Sequence, residues 1–284
     1  MEIIVDKGAG FCPGVQKTIQ KAEELLTGEK RVLALGELIH NRVELERLDS
    51  LGLKTIEHSQ LNTNAVEEDA VVLFRAHGEP PSTYAQLEAR GLNYLDGTCS
   101  IVKRSQKIAA EFARKGYQVV IVGKKSHPES IGIAGYCQPS GIIIASPEEV
   151  SGLNRELKYF VLAQTTIPET QFEAVLEEMR QHRLNFEYKN TVCRFVKNRH
   201  KEVRQLARQC DVLIMVGGRN SSNTKVLFQH CREANPHSYW IENAGELQRV
   251  WFKGANKVGI TGGASTPAWL LQEVGEKIRQ LNTQ

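Results

Sequence analysis

The sequence of 284 residues predicts an α/β fold of three pseudo-symmetric lobes with parallel strands, and three observations carry that prediction. Apolar runs of strand length (RVLALG, AVVLFRAHG, YQVVIVG, GIIIAS, YFVLAQT, DVLIMVGG, KVGITGG) alternate with amphipathic helical stretches, the pattern of parallel βα units. Three cysteines, Cys12, Cys99 and Cys193, open segments laid out to one ruler. Twenty-four residues after each stands a glycine closing an apolar run, Gly36, Gly123 and Gly217, and four residues further a polar group, His40, His127 and Ser221. A third register adds His77, Thr165 and Ser265, each just past another apolar run. Self-similarity over so long a period reads as one structural unit used three times.

The first helix is predicted from Pro13, which suits a first helical turn, with Val15, Ile19 and Ala22 to Leu26 on its apolar face. In the second unit Ile101, Val102, Ile108, Ala109 and Phe112 repeat the pattern up to a stop at Gly116, and in the third Phe195, Val196, Val203, Leu206 and Ala207 do so. The three cysteines therefore fall at helix N-termini, where anions, thiolates included, are favoured. The ruler sets lobes at 13–98, 99–192 and 193–284, with the N-terminal strand 1–12 completing the third. No Pro-, Gly- or Ser-rich linker separates them, so one compact body is expected. The carboxyl ends of the strands carry Gly, His, Ser, Thr and Asn, and in open α/β sheets ligands bind at that edge.

Composition narrows the function. With 41% hydrophobic and 24% charged residues the chain has ordinary globular composition. Lysine plus arginine total 36 against 33 acids, and a net charge of +3 implies no general attraction to nucleic acid or membrane, so an anion bound here is bound locally. The opening MEIIVDKGAG lacks the apolar stretch of a signal peptide, and no run approaches the ~20 residues of a membrane helix, so a cytoplasmic protein is expected. In that compartment six cysteines point to core residues or metal ligands rather than disulfides. Cys12, Cys99 and Cys193 share the register; Cys137, Cys210 and Cys231 do not, and are expected to be packing or surface residues.

Three convergent thiolates suit an iron–sulfur cluster, because soft sulfur selects iron–sulfur or zinc over hard cations. A four-iron cluster usually takes four thiolates; three leave one iron open, and an open position means chemistry. The competing reading, three cysteines filling equivalent core positions, is weaker because alanine or valine would fill such space. His40, His77 and His127 end apolar runs in IHN, AHG and SHP. Singly each would be a hydrogen-bonded histidine at a strand end, but in matching registers they read as a shared polar lining. Ser221, Ser222 and Asn223 in GGRNSSNT and Ser265 in GASTP add hydroxyls, an amide and helix-start N–H groups suited to a diphosphate, although Ser and Asn also serve as turn and cap residues. The glycine spacing of GAGFCPG is wrong for a dinucleotide fingerprint, which argues against nicotinamide. Glu129, in SHPES, is the one acid beside this lining. A cavity holding an anion would raise its proton affinity and suit it to deliver protons, with Thr165 in AQTT orienting the relay.

Together G-F-C-P-G-V, the His of I-H-N, R-A-H-G, G-T-C, S-H-P-E, Q-T-T, N-S-S-N and G-A-S-T-P resemble, in order and over nearly the whole chain, the 4-hydroxy-3-methylbut-2-enyl diphosphate reductases that end the methylerythritol phosphate route to isoprenoid precursors. The resemblance implies a three-lobed α/β fold around a [4Fe-4S] cluster held by Cys12, Cys99 and Cys193, with one iron free. It implies that His40, His77, His127, Ser221, Ser222, Asn223 and Ser265 grip the diphosphate, and that Glu129 and Thr165 serve proton transfer. The implied reaction is reductive dehydroxylation, with the open iron as Lewis acid, a ferredoxin- or flavodoxin-type electron donor, and isopentenyl and dimethylallyl diphosphate as products. The sequence departs from the family's usual pattern at Gly97, at Ser100, where proline is common, and at Arg194, Phe195 and Val196 after the third cysteine. No cluster ligand is lost, but the departures leave open a paralogue acting on another substrate. A redox-neutral hydro-lyase with the same open iron would turn over without reductant, and a non-catalytic iron–sulfur sensor would not need the diphosphate residues.

Overall fold

All seven apolar runs form strands in a computed structural model of the chain, which describes residues 1–63 and 66–283. The N-terminus supplies β1 (Glu2–Val5) and α1 (Pro13–Leu26). A first set follows as β2 (Val32–Leu35), α2 (Arg42–Ser50), β3 (Lys54–Ile56), β4 (Val71–Phe74), α3 (Pro81–Ala89) and β5 (Asn93–Asp96). The second runs α4 (Ser100–Arg114), β6 (Gln118–Val122), α5 (Pro128–Ala134), β7 (Ile142–Ile144), β8 (Lys158–Ala163), α6 (Glu169–Gln181) and β9 (Asn185–Lys189). The third runs α7 (Arg194–Gln209), β10 (Val212–Val216), α8 (Ser222–Ala234), β11 (Ser238–Ile241), β12 (Lys257–Gly262) and α9 (Ala268–Thr283).

The strands make three four-stranded parallel sheets, ordered β3-β2-β4-β5, β7-β6-β8-β9 and β1-β12-β10-β11. These are one topology three times: the second strand of each set lies outside the first, the third on the first's other flank, and a fourth beyond it, β1 taking that place in the third sheet. Parallel neighbours require crossovers, and the helices that make them cover both sheet faces. The central strands are therefore buried on both sides, as in β2 and β4, where seven of eight side chains are at most 1% exposed. Strand order reverses between the first and third strands of each set, which is where such sheets open a crevice for ligands. The loops leaving those strands carry Gly36 and His77, Gly123 and Thr165, and Gly217 and Ser265. Two registers of the ruler are thus the two sides of a switch point.

By contacts the chain divides into two units, one of Met1–Gln16, Ile39–Leu51 and Arg194–Gln284, the other of Lys17–Leu38 and Gly52–Cys193. The first holds the β1-β12-β10-β11 sheet. Helix α2 belongs to it because Glu44, fully buried, is bonded by Arg47 at 2.6 and 3.0 Å and by the Trp269 indole N–H of α9 at 3.0 Å. The second unit holds the other two sheets. There α5 lies against the 78–80 turn so closely that a Cβ on Gly132 would come within 3.1 Å of the Gly78 carbonyl oxygen. Gly78 itself has φ +77, a conformation other residues rarely adopt.

The cysteine-led helices start where the sequence predicts. α4 ends at Arg114, and Gly116 just beyond it takes φ +86, the left-handed turn that commonly follows a helix C-cap. Its buried face is Val102, Ser105, Gln106 and Ala109. Ile101 falls off that stripe and is 38% exposed, correcting its expected place in the apolar face.

Candidate functional site

Each register cysteine is anchored the same way within its own unit. The Cys12 N–H donates to the Ala264 carbonyl at 3.0 Å, that of Cys99 to Ala76 at 3.0 Å, and that of Cys193 to Thr165 at 2.8 Å. The acceptors sit in the loops after β12, β4 and β8, at or one residue before Ser265, His77 and Thr165. Every cysteine is thus tied, at a helix start, to the switch-point loop of one sheet. All three are partly exposed, none of them is in a disulfide among the described residues, and the Val15 N–H points at the Cys12 sulfur, 3.5 Å away. Cys137, Cys210 and Cys231 are buried among apolar side chains. Burial pushes the Cys137 thiol up to about 11, that of Cys231 up to about 12, and that of Cys210 upward. These thiols stay protonated and serve packing. The three register thiols, by contrast, are partly exposed.

The first unit gathers His40, Ser221, Ser222, Asn223 and Ser265. The Ser265 hydroxyl donates to the His40 carbonyl at 3.3 Å, and the Asn41 amide to the Ser265 carbonyl at 3.0 Å. Asn41, 2% exposed, also caps α2 by accepting from Glu44 N–H at 3.2 Å. It was missed as a site residue, although the N-x-x-E spacing of a helix start, next to His40, marks it. Ser221 caps α8, accepting from Thr224 N–H at 3.2 Å, so the ordinary cap role holds for it. Asn223 is different. It is 7% exposed, and neither its amide nitrogen nor its oxygen has a hydrogen-bond partner among the described residues. A buried amide with both ends unpaired costs stability unless something polar meets it. Placed in the first turn of a helix, it suits an anionic oxygen.

Gly218 fixes this unit's geometry, since a Cβ there would run into the His40 carbonyl oxygen and approach Asn41 Cα at 3.2 Å. Gly218→Ala is expected to cost about 1–3 kcal/mol and to displace His40. Urea unfolding reads the first, and weakened binding of inorganic pyrophosphate by calorimetry the second.

The second unit holds His77, His127, Glu129 and Thr165. The His77 and His127 rings meet edge-on at 5.1 Å between centroids. His127 caps α5, its Nδ1 accepting from Glu129 N–H at 3.2 Å, so the neutral ring carries its proton on Nε2. Glu129 is 1% exposed. Its carboxylate accepts from the Thr165 N–H at 2.6 Å and the Thr165 hydroxyl at 2.9 Å. Burial outweighs those bonds and pushes its pKa up to about 7, where a carboxyl exchanges protons at neutral pH. Gln164, also missed, braces the loop: its oxygen accepts from Lys124 N–H at 3.0 Å and Ser130 at 3.3 Å, and its amide donates to Thr166 at 3.0 Å. Only its place beside Thr165 could have flagged it.

Comparison with known proteins places this architecture. The family model described as LytB protein matches residues 3–279. A 4-hydroxy-3-methylbut-2-enyl diphosphate reductase of Aquifex aeolicus is 37% identical over 99% of this chain and 97% of its own length, and one of Phocaeicola vulgatus is 39% identical over 98% of each. Among solved structures, one described as (E)-4-hydroxy-3-methyl-but-2-enyl diphosphate reductase, the terminal enzyme of the non-mevalonate pathway, aligns with TM-score 0.76 and 36% identity over 99% of this chain and 100% of that one. The E-1-hydroxy-2-methyl-but-2-enyl-4-diphosphate reductase of Plasmodium falciparum aligns with TM-score 0.86 over 96% of this chain and 86% of that one; at 24% identity it speaks for the fold alone. With a family model spanning nearly all of it and full-length relatives at this identity, the chain belongs to the LytB family.

Proposed function

We propose that the protein reductively dehydroxylates 4-hydroxy-3-methylbut-2-enyl diphosphate. Two electrons and two protons convert the alcohol into water and an allyl fragment protonated at one end or the other, which gives isopentenyl or dimethylallyl diphosphate. Cys12, Cys99 and Cys193 would hold a [4Fe-4S] cluster with one iron free of protein ligands. The observation that carries this reading is the equivalence of the three thiols: each stands at a helix start, is tied by its amide to a switch-point loop and is partly exposed, while the other cysteines are buried. That donor set fits a cluster that keeps one position for substrate.

When bound, the cluster supplies electrons and a Lewis-acidic iron. The chain's residues do the positioning and the proton work. His40, His77, His127, Ser221, Ser222, Asn223 and Ser265 would hold the diphosphate by charge-assisted hydrogen bonds, and the unpaired Asn223 amide supports its inclusion. Protonated Glu129 delivers a proton to the departing hydroxyl, and Thr165 fixes the carboxyl's orientation. An external one-electron carrier is the remaining partner. Among the described residues no helix is long and apolar enough to cross a membrane.

The test is anaerobic reconstitution with iron and sulfide, followed by assay on the hydroxymethylbutenyl diphosphate with a low-potential reductant. Cys99→Ser is expected to fail to retain iron after desalting and to show no turnover above background. Cys231→Ala, which alters only packing, is expected to keep both. Iron retained equally by both variants, or an intact cluster with no substrate consumed, would overturn the reading.

A further inference from the structure

Helix α7 carries six lysines and arginines and one acid, in a protein whose net charge is +3. Five of them, Arg194, Lys197, Lys201, Arg204 and Arg208, recur at alternating three- and four-residue steps, which places them along one side of the helix. The buried side is Val196, Arg199, Val203, Leu206 and Ala207. The cationic side is costly to the fold. Like charges at these spacings repel, and the first turn lacks the acid that a helix N-terminus favours. Among the described residues Arg194, Lys201 and Arg208 have no ion-pair partner; Arg204 meets Glu233 at 2.9 Å, and the helix's own Glu202 is turned to Arg199 at 2.6 Å. Lys201, Arg204 and Arg208, with Gln205 and Gln209, line an open groove. The helix starts at the residue after Cys193, and at the α-helical rise Lys201 lies about 12 Å along the axis from that cysteine.

We propose that the cationic side of α7 is the docking surface for a small acidic one-electron carrier protein, which delivers electrons at the Cys193 end of the helix. The proposal rests on the reductase reading, which requires two electrons arriving singly from outside. A carrier that must dock, transfer and leave needs a rapid, weak encounter. Charge complementarity over a small area supplies that, because it raises the association rate without a large buried core. A row of long basic side chains on an open helix face suits such an encounter, and it leads to a cysteine proposed as a cluster ligand.

Binding of an acidic plant-type ferredoxin to the reconstituted protein is measured by surface plasmon resonance at rising ionic strength. The forms compared are the wild type, Lys201→Glu/Arg208→Glu, and a control of equal charge change elsewhere, Lys30→Glu/Lys253→Glu. The α7 variant is expected to bind about tenfold more weakly at low salt and to lose ferredoxin-driven turnover in proportion, while its dithionite-driven turnover and substrate KM stay at wild-type values. The control is expected to change affinity by less than about twofold. Unchanged affinity in the α7 variant, or an equal loss in the control, overturns the proposal. So does duplex DNA binding more tightly than ferredoxin to the same side, which would make it a nucleic-acid surface. Failure of the reductase reading shows differently, as no dithionite-driven substrate consumption in any form, and the affinity comparison stands apart from it.

Discussion

Glu129→Gln is expected to lower turnover by about 10²- to 10⁴-fold with iron content unchanged. The glutamine keeps the volume, its oxygen accepts from the Thr165 N–H, and its amide can donate to the Thr165 oxygen, so both contacts to this buried site survive. What it lacks is a proton to give. The same group has an opposite effect on stability. With its folded pKa at about 7 against an ordinary 4.5, Glu129 stays protonated in the folded protein where the unfolded chain has already ionised. Its stabilising contribution is complete below about pH 4.5 and is lost as pH rises through about 7, a change of roughly 3 kcal/mol. The glutamine variant should therefore resist urea better than the wild type at about pH 8 and match it near pH 5. The wild-type rate should also fall on an alkaline limb near pH 7, where the carboxyl loses its proton. Equal turnover in the two forms would remove Glu129 from the proton path, and parallel stability profiles would refute its raised pKa.

Arg199→Met is expected to destabilise the first unit by about 3–5 kcal/mol. Arg199, 3% exposed, meets Asp6 at 2.5 and 3.3 Å, Thr261 at 2.9 Å and Glu202 at 2.6 Å, joining the end of β1, α7 and β12. Burial alone would raise the Asp6 pKa, but the hydrogen bonds and charge of Arg199, with the Thr261 hydroxyl at 2.6 Å, hold it below the ordinary value. Removing the guanidinium leaves that carboxylate buried without its partner. The double variant Asp6→Leu/Arg199→Met, which removes both charges, is expected to recover most of the loss. The cost of the single variant should shrink in acid, as Asp6 protonates. Urea midpoints for the two variants and the wild type decide the matter, and a single variant as stable as the double one would sink the argument.

The central strands, the cysteine-led helices and the repeat were legible because each leaves a local pattern. A strand covered on both faces must be apolar throughout, so β2, β4, β6, β8, β10 and β12 read directly from runs of Val, Ile and Leu. The edge strands KTI, NYLD, NFEYK and SYWI did not, because one flank meets solvent and their side chains are mostly polar or half-exposed. Helix α2, RVELERLDS, was harder to read, since it buries a charged group, Glu44, as fully as Leu48; Glu44 is paired with Arg47 and accepts a hydrogen bond from an indole 225 residues away.

By itself the sequence determined the kind of chemistry in reach: which cysteines share a register, which polar residues end the strands, and which acid stands beside them. Only the tertiary structure decided the environments of those groups. It buried Glu129 and gave it Thr165 as a partner, left the Asn223 amide unpaired, and sealed Cys137, Cys210 and Cys231 in the cores. The reason is physical: a residue's type and spacing are properties of the chain, whereas its exposure to water and its hydrogen-bond partners arise from contacts between segments far apart in it.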